Sequence, residues 1–196
     1  MSNALHQNDG MKSKLIEITC QMIEQNNGSA HINMRAVARQ AGCAHTNVYN
    51  YFASFNDLLY AAMFRVMEKI VQYTQKQVGT IAQTMDHFPA FIYAQIDFAF
   101  QFPGLFRFFW LDSLPGEPVP EEVKRFGLEL KKRFAELVFN CSNGKLARDE
   151  AFEVSIILHS YLHGEICKLI TGRDLDITRE KIRNNVDRLL QILTRQ

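Results

Sequence analysis

The chain has 196 residues, of which 47% are hydrophobic and 22% are charged, and its formal net charge is +1. These values are typical of a globular protein with one large or two small domains. The small charge does not by itself indicate nucleic-acid binding. No apolar run is long enough to span a membrane and no signal-peptide pattern is visible, so we expect a cytoplasmic protein with no membrane partner.

Helical periodicity runs through the N-terminal half. Residues 1–10 are polar and aperiodic, so we expect a disordered arm there. A first helix is predicted from about Met11 to Gln25, and a second from the N-cap residue Asn33 to Gly42. A third covers about residues 44–52. A fourth begins at Ser54, with Asp57 completing a capping box, and runs to about residue 79.

The second half has the same period and no strand-like alternation. Prolines and glycines separate five further helices. The predicted fold class is therefore all-α with about nine helices, and the last five are expected near residues 89–102, 103–111, 120–139, 148–170 and 177–193.

Two short amphipathic runs flank Gly42, which is the pattern of a helix-turn-helix. The second helix of such a unit can lie in the DNA major groove. The segment resembles the DNA-binding head of the TetR (tetracycline-repressor) family of transcriptional regulators. The matching residues are Val37, Ala38, Ala41, Gly42, Tyr49, Phe52, Ser54 and Leu58. The resemblance implies a DNA-binding domain over 11–55, a connecting helix over 56–79, and a ligand-binding and dimerisation domain over 80–196.

The resemblance also places the recognition helix at Ala44 to Tyr51 and implies which residues contact double-stranded DNA. Asn side chains can bond adenine, Thr can contact thymine, and His can reach guanine. Basic residues and a tyrosine hydroxyl would bind phosphates. A solvated helix face is the alternative for all of them. The candidates are Lys12, Lys14, Arg35, Arg39, His45, Thr46, Asn47, Tyr49, Asn50 and Tyr51.

Three residues depart from the family pattern. Ala44 stands where a Ser usually caps the recognition helix, which costs about 0.5–2 kcal/mol. Phe55 stands where a Lys often binds phosphate. His45 replaces a frequent Lys or Arg, so its charge depends on pH. Together they predict weaker or more salt-sensitive DNA binding than in a typical relative.

A dimer is expected through residues 148–193, because one head is too small for a specific site. Two-fold symmetry would set the recognition helices roughly 34–36 Å apart on a palindromic operator. Apolar residues Ile182, Val186, Leu189 and Leu193 repeat at helical spacing and predict a helix-packing seam. The alternative is that this stripe faces the chain's own core.

Ten aromatic residues lie between Phe88 and Trp110, more than one face of two helices needs. They predict an aromatic-lined cavity for a small hydrophobic or aromatic inducer. His163-Gly164 also resembles a Trp-x-x-x-His-Gly motif of one TetR subgroup, with His159 at the Trp position. The candidate ligand-binding residues are Phe91, Tyr93, Asp97, Phe106, Arg107, Trp110, His159 and His163.

A metal site on His159, His163 and Cys167 is not expected, because the first and last lie roughly 12 Å apart along a helix. No cofactor and no catalytic residue is predicted, since no phosphate loop, nucleophile elbow or triad is visible. The sequence therefore predicts a ligand-responsive, dimeric DNA-binding repressor. An all-helical interaction protein, or a regulator with weakened DNA binding, is the alternative.

Overall fold

The computed structural model describes residues 2–78, 88–114, 119–174 and 176–193, and every regular element within these ranges is an α-helix. The predicted all-α class is confirmed, and the described residues form the nine helices expected. They are α1 (Ser2–Gln25), α2 (Met34–Ala41), α3 (His45–Val48), α4 (Phe55–Val78), α5 (Phe88–Gln101), α6 (Pro103–Trp110), α7 (Glu121–Cys141), α8 (Arg148–Ile170) and α9 (Arg179–Leu193).

The helix ends in the N-terminal half follow the local signals in the sequence. The Asn33 side chain accepts a hydrogen bond from the Ala36 N–H at 3.0 Å, which caps α2. Gly42 ends α2 in the left-handed conformation with φ of 74°. The Asp57 N–H donates to Ser54 Oγ at 3.1 Å, and the Ser54 N–H donates to the Asp57 carboxylate at 3.0 Å. These contacts confirm the predicted caps of α2 and α4.

Two helices differ in length from the prediction. Helix α1 begins at Ser2 rather than near Met11, so the backbone of most of the segment predicted to be a disordered arm is helical. No proline interrupts this segment, and extending a helix costs far less than starting one. Helix α3 ends at Val48 rather than near Phe52. The residues at 49–52, which are Tyr, Asn, Tyr and Phe, are weak helix formers, which explains the shortening.

The chain forms two compact units, of which the first comprises residues 1–69 and 102–123 and the second residues 70–101 and 124–196. This division differs from the predicted one, which assigned all of residues 80–196 to one domain. The predicted boundary between residues 79 and 80 lies outside the described residues. In the first unit, α1, α2, α3 and α4 bury the apolar faces that their periodicity predicts: Leu15, Ile23, Val37, Val48 and Leu58.

Helix α6 packs against α1 in the first unit, because Gly104 allows the two backbones to approach closely. A Cβ built on Gly104 would lie 2.7 Å from the carbonyl oxygen of Glu24 and 2.8 Å from that of Ile23. The Glu24 carboxylate accepts a hydrogen bond from the Leu105 N–H at 2.9 Å. This bond satisfies one of the backbone donors at the start of α6, where Phe102 offers no capping side chain.

Asp112, two residues after the end of α6, holds the turn between α1 and α2. One oxygen of Asp112 accepts hydrogen bonds from the N–H and the hydroxyl of Ser29, both at 2.7 Å. The Arg107 guanidinium lies 3.7 Å from the other oxygen of Asp112. Gly28 lies in the same turn, directly before Ser29, and has a φ of 127°. A side chain there would be strained and would meet Asp112 at 3.0 Å.

The second unit is built on α5, α8 and α9, with α7 beside them. The buried side chains lie at helical spacing on the inner face of each helix. They include Ile92, Ile96 and Phe98 from α5, Leu158, Leu162 and Ile166 from α8, and Ile182 and Val186 from α9. Two residues predicted to form a dimer seam, Ile182 and Val186, are therefore part of the core of their own unit.

Two cysteines are buried, one in each unit. Burial raises the pKa of the Cys20 thiol to about 12 and that of the Cys141 thiol to about 11. Both thiols are therefore protonated at neutral pH and act as small apolar groups. None of the described helices is both long enough and apolar enough to cross a membrane.

Candidate nucleic-acid interface

The segment from α2 through α3 forms a helix-turn-helix with buried inner faces and an exposed outer face. Val37, Ala38 and Ala41 of α2 are buried, as is Val48 of α3. Eight of the residues that the sequence identified as candidates for DNA contact lie in this segment or just after it, and the other two, Lys12 and Lys14, lie on α1. Of the ten, nine are exposed and Tyr51 is half-buried.

The turn between the two helices is held by three backbone acceptors. The Gly42 N–H donates to the Arg39 carbonyl at 3.1 Å, and the Cys43 N–H donates to the Ala38 carbonyl at 3.0 Å. From α1, the ammonium group of Lys14 donates to the Ala41 carbonyl at 2.9 Å. Lys14 is predicted as a phosphate contact, and in the structure its ammonium group satisfies a backbone carbonyl at the C-terminal end of α2.

Helix α3 is a single turn whose first residues lack a side-chain cap. Ala44 occupies the N-cap position and makes no side-chain hydrogen bond, as its identity predicts. The chain continues past Val48 in further turns, in which the N–H groups of Tyr51 and Phe52 both donate to the Val48 carbonyl. Asn50 and Tyr51 therefore lie beyond α3, although the sequence placed them within the recognition helix.

Two pairs of side chains cover the outer surface of α3 and the turn after it. The rings of His45 and Tyr49 meet edge to face, with their centroids 6.5 Å apart, and Tyr49 is 54% exposed. The side-chain amide of Asn50 donates to the side-chain oxygen of Asn47 at 2.7 Å. Thr46, which lies between His45 and Asn47 in the sequence, is also exposed. The surface therefore offers an aromatic edge and an amide pair.

Basic side chains flank this surface on α1 and α2. Arg35 and Arg39 are exposed on α2. The Lys12 ammonium lies 5.8 Å from the centroid of the Phe52 ring, which is a cation–π distance. Phe55, at the position where the resemblance expects a lysine, is half-buried at the start of α4. The cations available for phosphate contact are therefore few and come from α1 and α2.

Five of the eight predicted ligand-binding residues belong to the second unit, and two of these five join α5 to α9. The Arg183 guanidinium donates to both oxygens of Asp97, at 2.7 and 2.6 Å. Arg179 lies 3.4 Å from the same carboxylate. The Tyr93 hydroxyl donates to Asp187. Sequence reasoning identified Tyr93 and Asp97 but missed their three partners, whose i, i+4, i+8 spacing on α9 was the available signal.

The other three form an aromatic chain across α5, α7 and α8. Phe91 stacks on Phe134 at a centroid distance of 5.9 Å, and Phe134 meets His159 edge to face at 5.9 Å. The rings of His159 and His163 lie 4.1 Å apart. Phe134, which sequence reasoning missed, thus connects Phe91 to the histidine pair.

Burial keeps both of these histidines neutral at pH 7. Burial and the adjacent His159 lower the pKa of His163 to about 3, and burial and Lys131 lower that of His159. Neutral imidazoles both donate and accept hydrogen bonds, so the pair supplies polar groups within an aromatic wall. In the described part of the chain, no three His, Cys, Asp or Glu residues group closely enough to hold a metal ion.

Phe106, Arg107 and Trp110, the remaining predicted ligand-binding residues, belong to the first unit. Phe106 is buried, and its ring centroid lies 6.4 Å from that of Trp110. Arg107 is near Asp112, as described above. Trp110 is partly exposed and meets Phe109 edge to face.

Comparison with known proteins gives structural but not sequence matches. The chain matches no protein-family sequence model and no curated protein. A protein of unknown function from Rhodococcus sp. RHA1 has a TM-score of 0.79 at 15% identity, covering 94% of this chain and 96% of that one. A candidate TetR-family transcriptional regulator from Rhodococcus sp. has a TM-score of 0.75 at 14% identity, and the match covers 94% of this chain and 99% of that one. A TetR-like transcriptional regulator from Rhodococcus sp. RHA1 has a TM-score of 0.65 at 12% identity, and the match covers 97% of this chain and 96% of that one.

The chain therefore has the all-helical fold of solved proteins that include TetR-type transcriptional regulators, over nearly its whole length. The resemblance noted in the helix-turn-helix residues is confirmed at the level of the fold. A fold supports many functions, so the function is argued from the site itself.

Proposed function

We propose that the protein is a DNA-binding regulator of transcription whose α3 surface enters the major groove. The observation that carries this proposal is the exposed set His45, Thr46, Asn47, Tyr49 and Asn50 on the outer side of a helix-turn-helix whose inner side is buried. The side chains of this face are exposed hydrogen-bonding groups suited to base edges and phosphates. The TetR-type fold supports the same function.

The regulator acts as a homodimer through α8 and α9, within residues 148–193. Helix α8 exposes three large apolar side chains on one face, Phe152 at 42%, Ile156 at 51% and Ile157 at 49%. On α9, Ile192 is 57% exposed. Exposed apolar residues grouped in this way are typical of a surface that packs against a partner. The interface we propose therefore uses this face of α8 rather than Ile182 and Val186, which are buried.

A small hydrophobic or aromatic inducer binds the second unit beside the aromatic chain of Phe91, Phe134, His159 and His163. The rings supply apolar contact, and the neutral imidazoles orient a polar group of the inducer. Asp97 and Tyr93 already have partners on α9, so their role is to hold α5 against that helix. To act as a repressor released by its inducer, the protein must bind the inducer more tightly in the state that does not bind DNA.

The direct test is DNA binding by fluorescence anisotropy, using fragments that flank the protein's own gene at several salt concentrations. The wild type should bind one fragment, and the His45→Ala, Tyr49→Ala double variant should lose that binding while keeping its helical content and dimer mass. Arg39→Ala should reduce the salt dependence by about one unit, because one phosphate contact is lost. The matched control is Arg125→Ala, an exposed arginine of α7 in the second unit, which should leave the slope unchanged.

A second candidate is a helical interaction protein, or a regulator that has lost DNA binding. The uncapped start of α3 at Ala44 and its single helical turn favour it. Under this alternative, no fragment and no palindromic DNA would bind even at low salt, and the double variant would behave as the wild type. No part of either proposal is catalytic.

A further inference from the structure

The hydrogen bond between Asn47 and Asn50 bears on which base the α3 surface recognises. Asn47 is the third residue of α3, and Asn50 follows one turn later. The Asn50 side chain donates to Asn47 Oδ1 at 2.7 Å, and the Asn50 backbone N–H donates to the Asn47 carbonyl at 3.2 Å. Both residues are exposed. The turn thus holds two side-chain amides together on the outer surface.

This contact uses only part of what the Asn47 amide can offer. An asparagine amide has two N–H donors and an oxygen with two lone pairs. Accepting one bond from Asn50 leaves Asn47 with both donors and one lone pair. The contact also couples the rotations of the two amides, because turning over the Asn47 amide alone would bring two N–H groups face to face. In the orientation seen here, Asn47 presents a donor and an acceptor in a defined order.

Adenine is the base that complements such an edge in the major groove. It presents an acceptor at N7 beside a donor at N6, so one amide can bond both atoms. Guanine presents two acceptors, N7 and O6, whereas cytosine presents a donor and thymine an acceptor beside a methyl group. An amide held in one orientation forms two bonds with adenine and no more than one with each of the others.

Of the two asparagines, Asn47 is the better placed to reach a base. In helix-turn-helix proteins the N-terminal residues of the recognition helix contact base edges. Asn47 lies within α3, whereas Asn50 lies after its end. We propose that Asn47 recognises an adenine in each half of the operator, and that Asn50 is a positioning residue that orients the Asn47 amide. This inference rests on the proposed DNA-binding function.

The test begins with selection of bound sequences from a random double-stranded DNA pool by the full-length wild type. The selected motif should contain an adenine in each half-site. Replacing that adenine by 7-deazaadenine removes the N7 acceptor, and should weaken wild-type binding about tenfold. The same replacement should have little effect on DNA binding by the Asn47→Ala variant, because that variant has no side-chain amide that could bond to N7. A 7-deazaadenine elsewhere in the site controls for general effects of the modified base.

Asn50 is tested by two substitutions that keep Asn47. Asn50→Ala frees the Asn47 amide to rotate, so adenine should lose most of its advantage over the other bases at that position. Asn50→Asp replaces the donor by an acceptor, which turns the Asn47 N–H groups inward and its oxygen outward. The preference should then move toward cytosine, which presents a donor. Gln72→Ala, which removes an exposed side-chain amide from α4 in the second unit, is the matched control and should select the wild-type motif.

The outcomes separate this inference from the function on which it rests. If the wild type enriches no motif, the proposed DNA-binding function is overturned. If it enriches a motif that Asn47→Ala also selects unchanged, or if 7-deazaadenine weakens both proteins equally, the adenine assignment is overturned while DNA binding stands. An unchanged motif for both Asn50 variants would overturn its positioning role. Circular dichroism on every variant confirms folding.

Discussion

In each unit, carboxylate side chains join one pair of helices, but the groups that these carboxylates bind differ between the two units. In the first unit, Glu24 and Asp112 accept hydrogen bonds from the neutral backbone groups of Leu105 and Ser29. In the second unit, Asp97 binds the guanidinium groups of Arg183 and Arg179. The first joint therefore depends on close and accurate backbone approach, whereas the second depends on opposite charge. Substitutions, salt and pH should act on them differently.

The largest expected effect is on the backbone approach in the first unit. Gly104→Ala would place a Cβ 2.7 Å from the backbone of Glu24, so the two helices must separate and α6 must lose its cap. We expect a loss of about 3 kcal/mol in the free energy of unfolding. Urea unfolding followed by the fluorescence of Trp110 reports on the first unit, because Trp110 is the only tryptophan.

A matched control exists on α7. A Cβ on Gly127 meets nothing within 4 Å, so Gly127→Ala should stabilise the protein by about 0.5–1 kcal/mol. Equal effects from the two glycine substitutions would contradict the role given to Gly104.

The charged joint of the second unit should give the next largest effect. Asp97→Asn keeps the shape of the side chain but removes the charge that faces Arg183 and Arg179. Because these groups are partly exposed, we expect a loss of about 2 kcal/mol. Unfolding followed by circular dichroism at low and high salt measures it. The wild type should lose part of this difference in 1 M salt, where exposed charges are screened. A salt-independent difference would argue against a charge-based joint.

Acid should weaken the second unit through its histidine pair. The pKa of His163 is lowered to about 3 in the folded protein from the usual 6.5, so the unfolded chain binds the proton first. The stabilisation is complete above pH 6.5 and is lost as the pH falls toward 3. For His163 alone the loss between pH 7.5 and pH 5 is about 2 kcal/mol. His163→Phe should flatten this dependence, whereas His31→Ala, at an exposed histidine of the first unit, should not.

The smallest expected effect tests whether charge matters in the first unit. Asp112→Asn keeps an oxygen that can accept from Ser29 and loses only the weak ion pair with Arg107, so we expect a loss below about 1 kcal/mol. Asp112→Ala removes the acceptor and should cost about 1–2 kcal/mol. The asparagine variant should thus rescue the joint at Asp112 although it fails at Asp97. Equal losses for the two Asp112 variants would show that its charge, not its oxygen, holds the turn.

The sequence predicted features whose partners lie within one helical turn. Asn33 with Ala36, and Ser54 with Asp57, are three residues apart, so their chemistry is readable from spacing alone. The fold class follows from periodicity in the same way, whereas the candidate residues of α3 were implied by the family resemblance. The partners of Asp97 and Tyr93 lie 86 and 94 residues away along the chain. The i, i+4, i+8 spacing of Arg179, Arg183 and Asp187 places them on one face of α9, but it does not indicate that this face meets α5, because that depends on how the helices pack.

The same lack of information about helix packing explains why the apolar stripe of α9 was predicted to form a dimer seam. Its stripe of Ile182 and Val186 indicated that one face is buried, and this is confirmed. The sequence could not decide whether the stripe faced a second copy or the chain's own core. That choice depends on α5 and α8, which cover the stripe within the same unit. The apolar face that remains exposed, on α8, is distinguishable only once those helices are in position.

The location of α6 in the first unit has a consequence for how the protein is made. The first unit is discontinuous in sequence, since residues 70–101 of the second unit intervene before α6. During synthesis from the N-terminus, α1 emerges well before the helix that packs on its C-terminal end, so the Glu24 carboxylate has no Leu105 N–H to accept from until α6 has been made. The first unit therefore departs from the usual order in which an N-terminal domain completes its folding first. A fragment ending at Lys69 would carry the helix-turn-helix but leave this side of α1 uncovered.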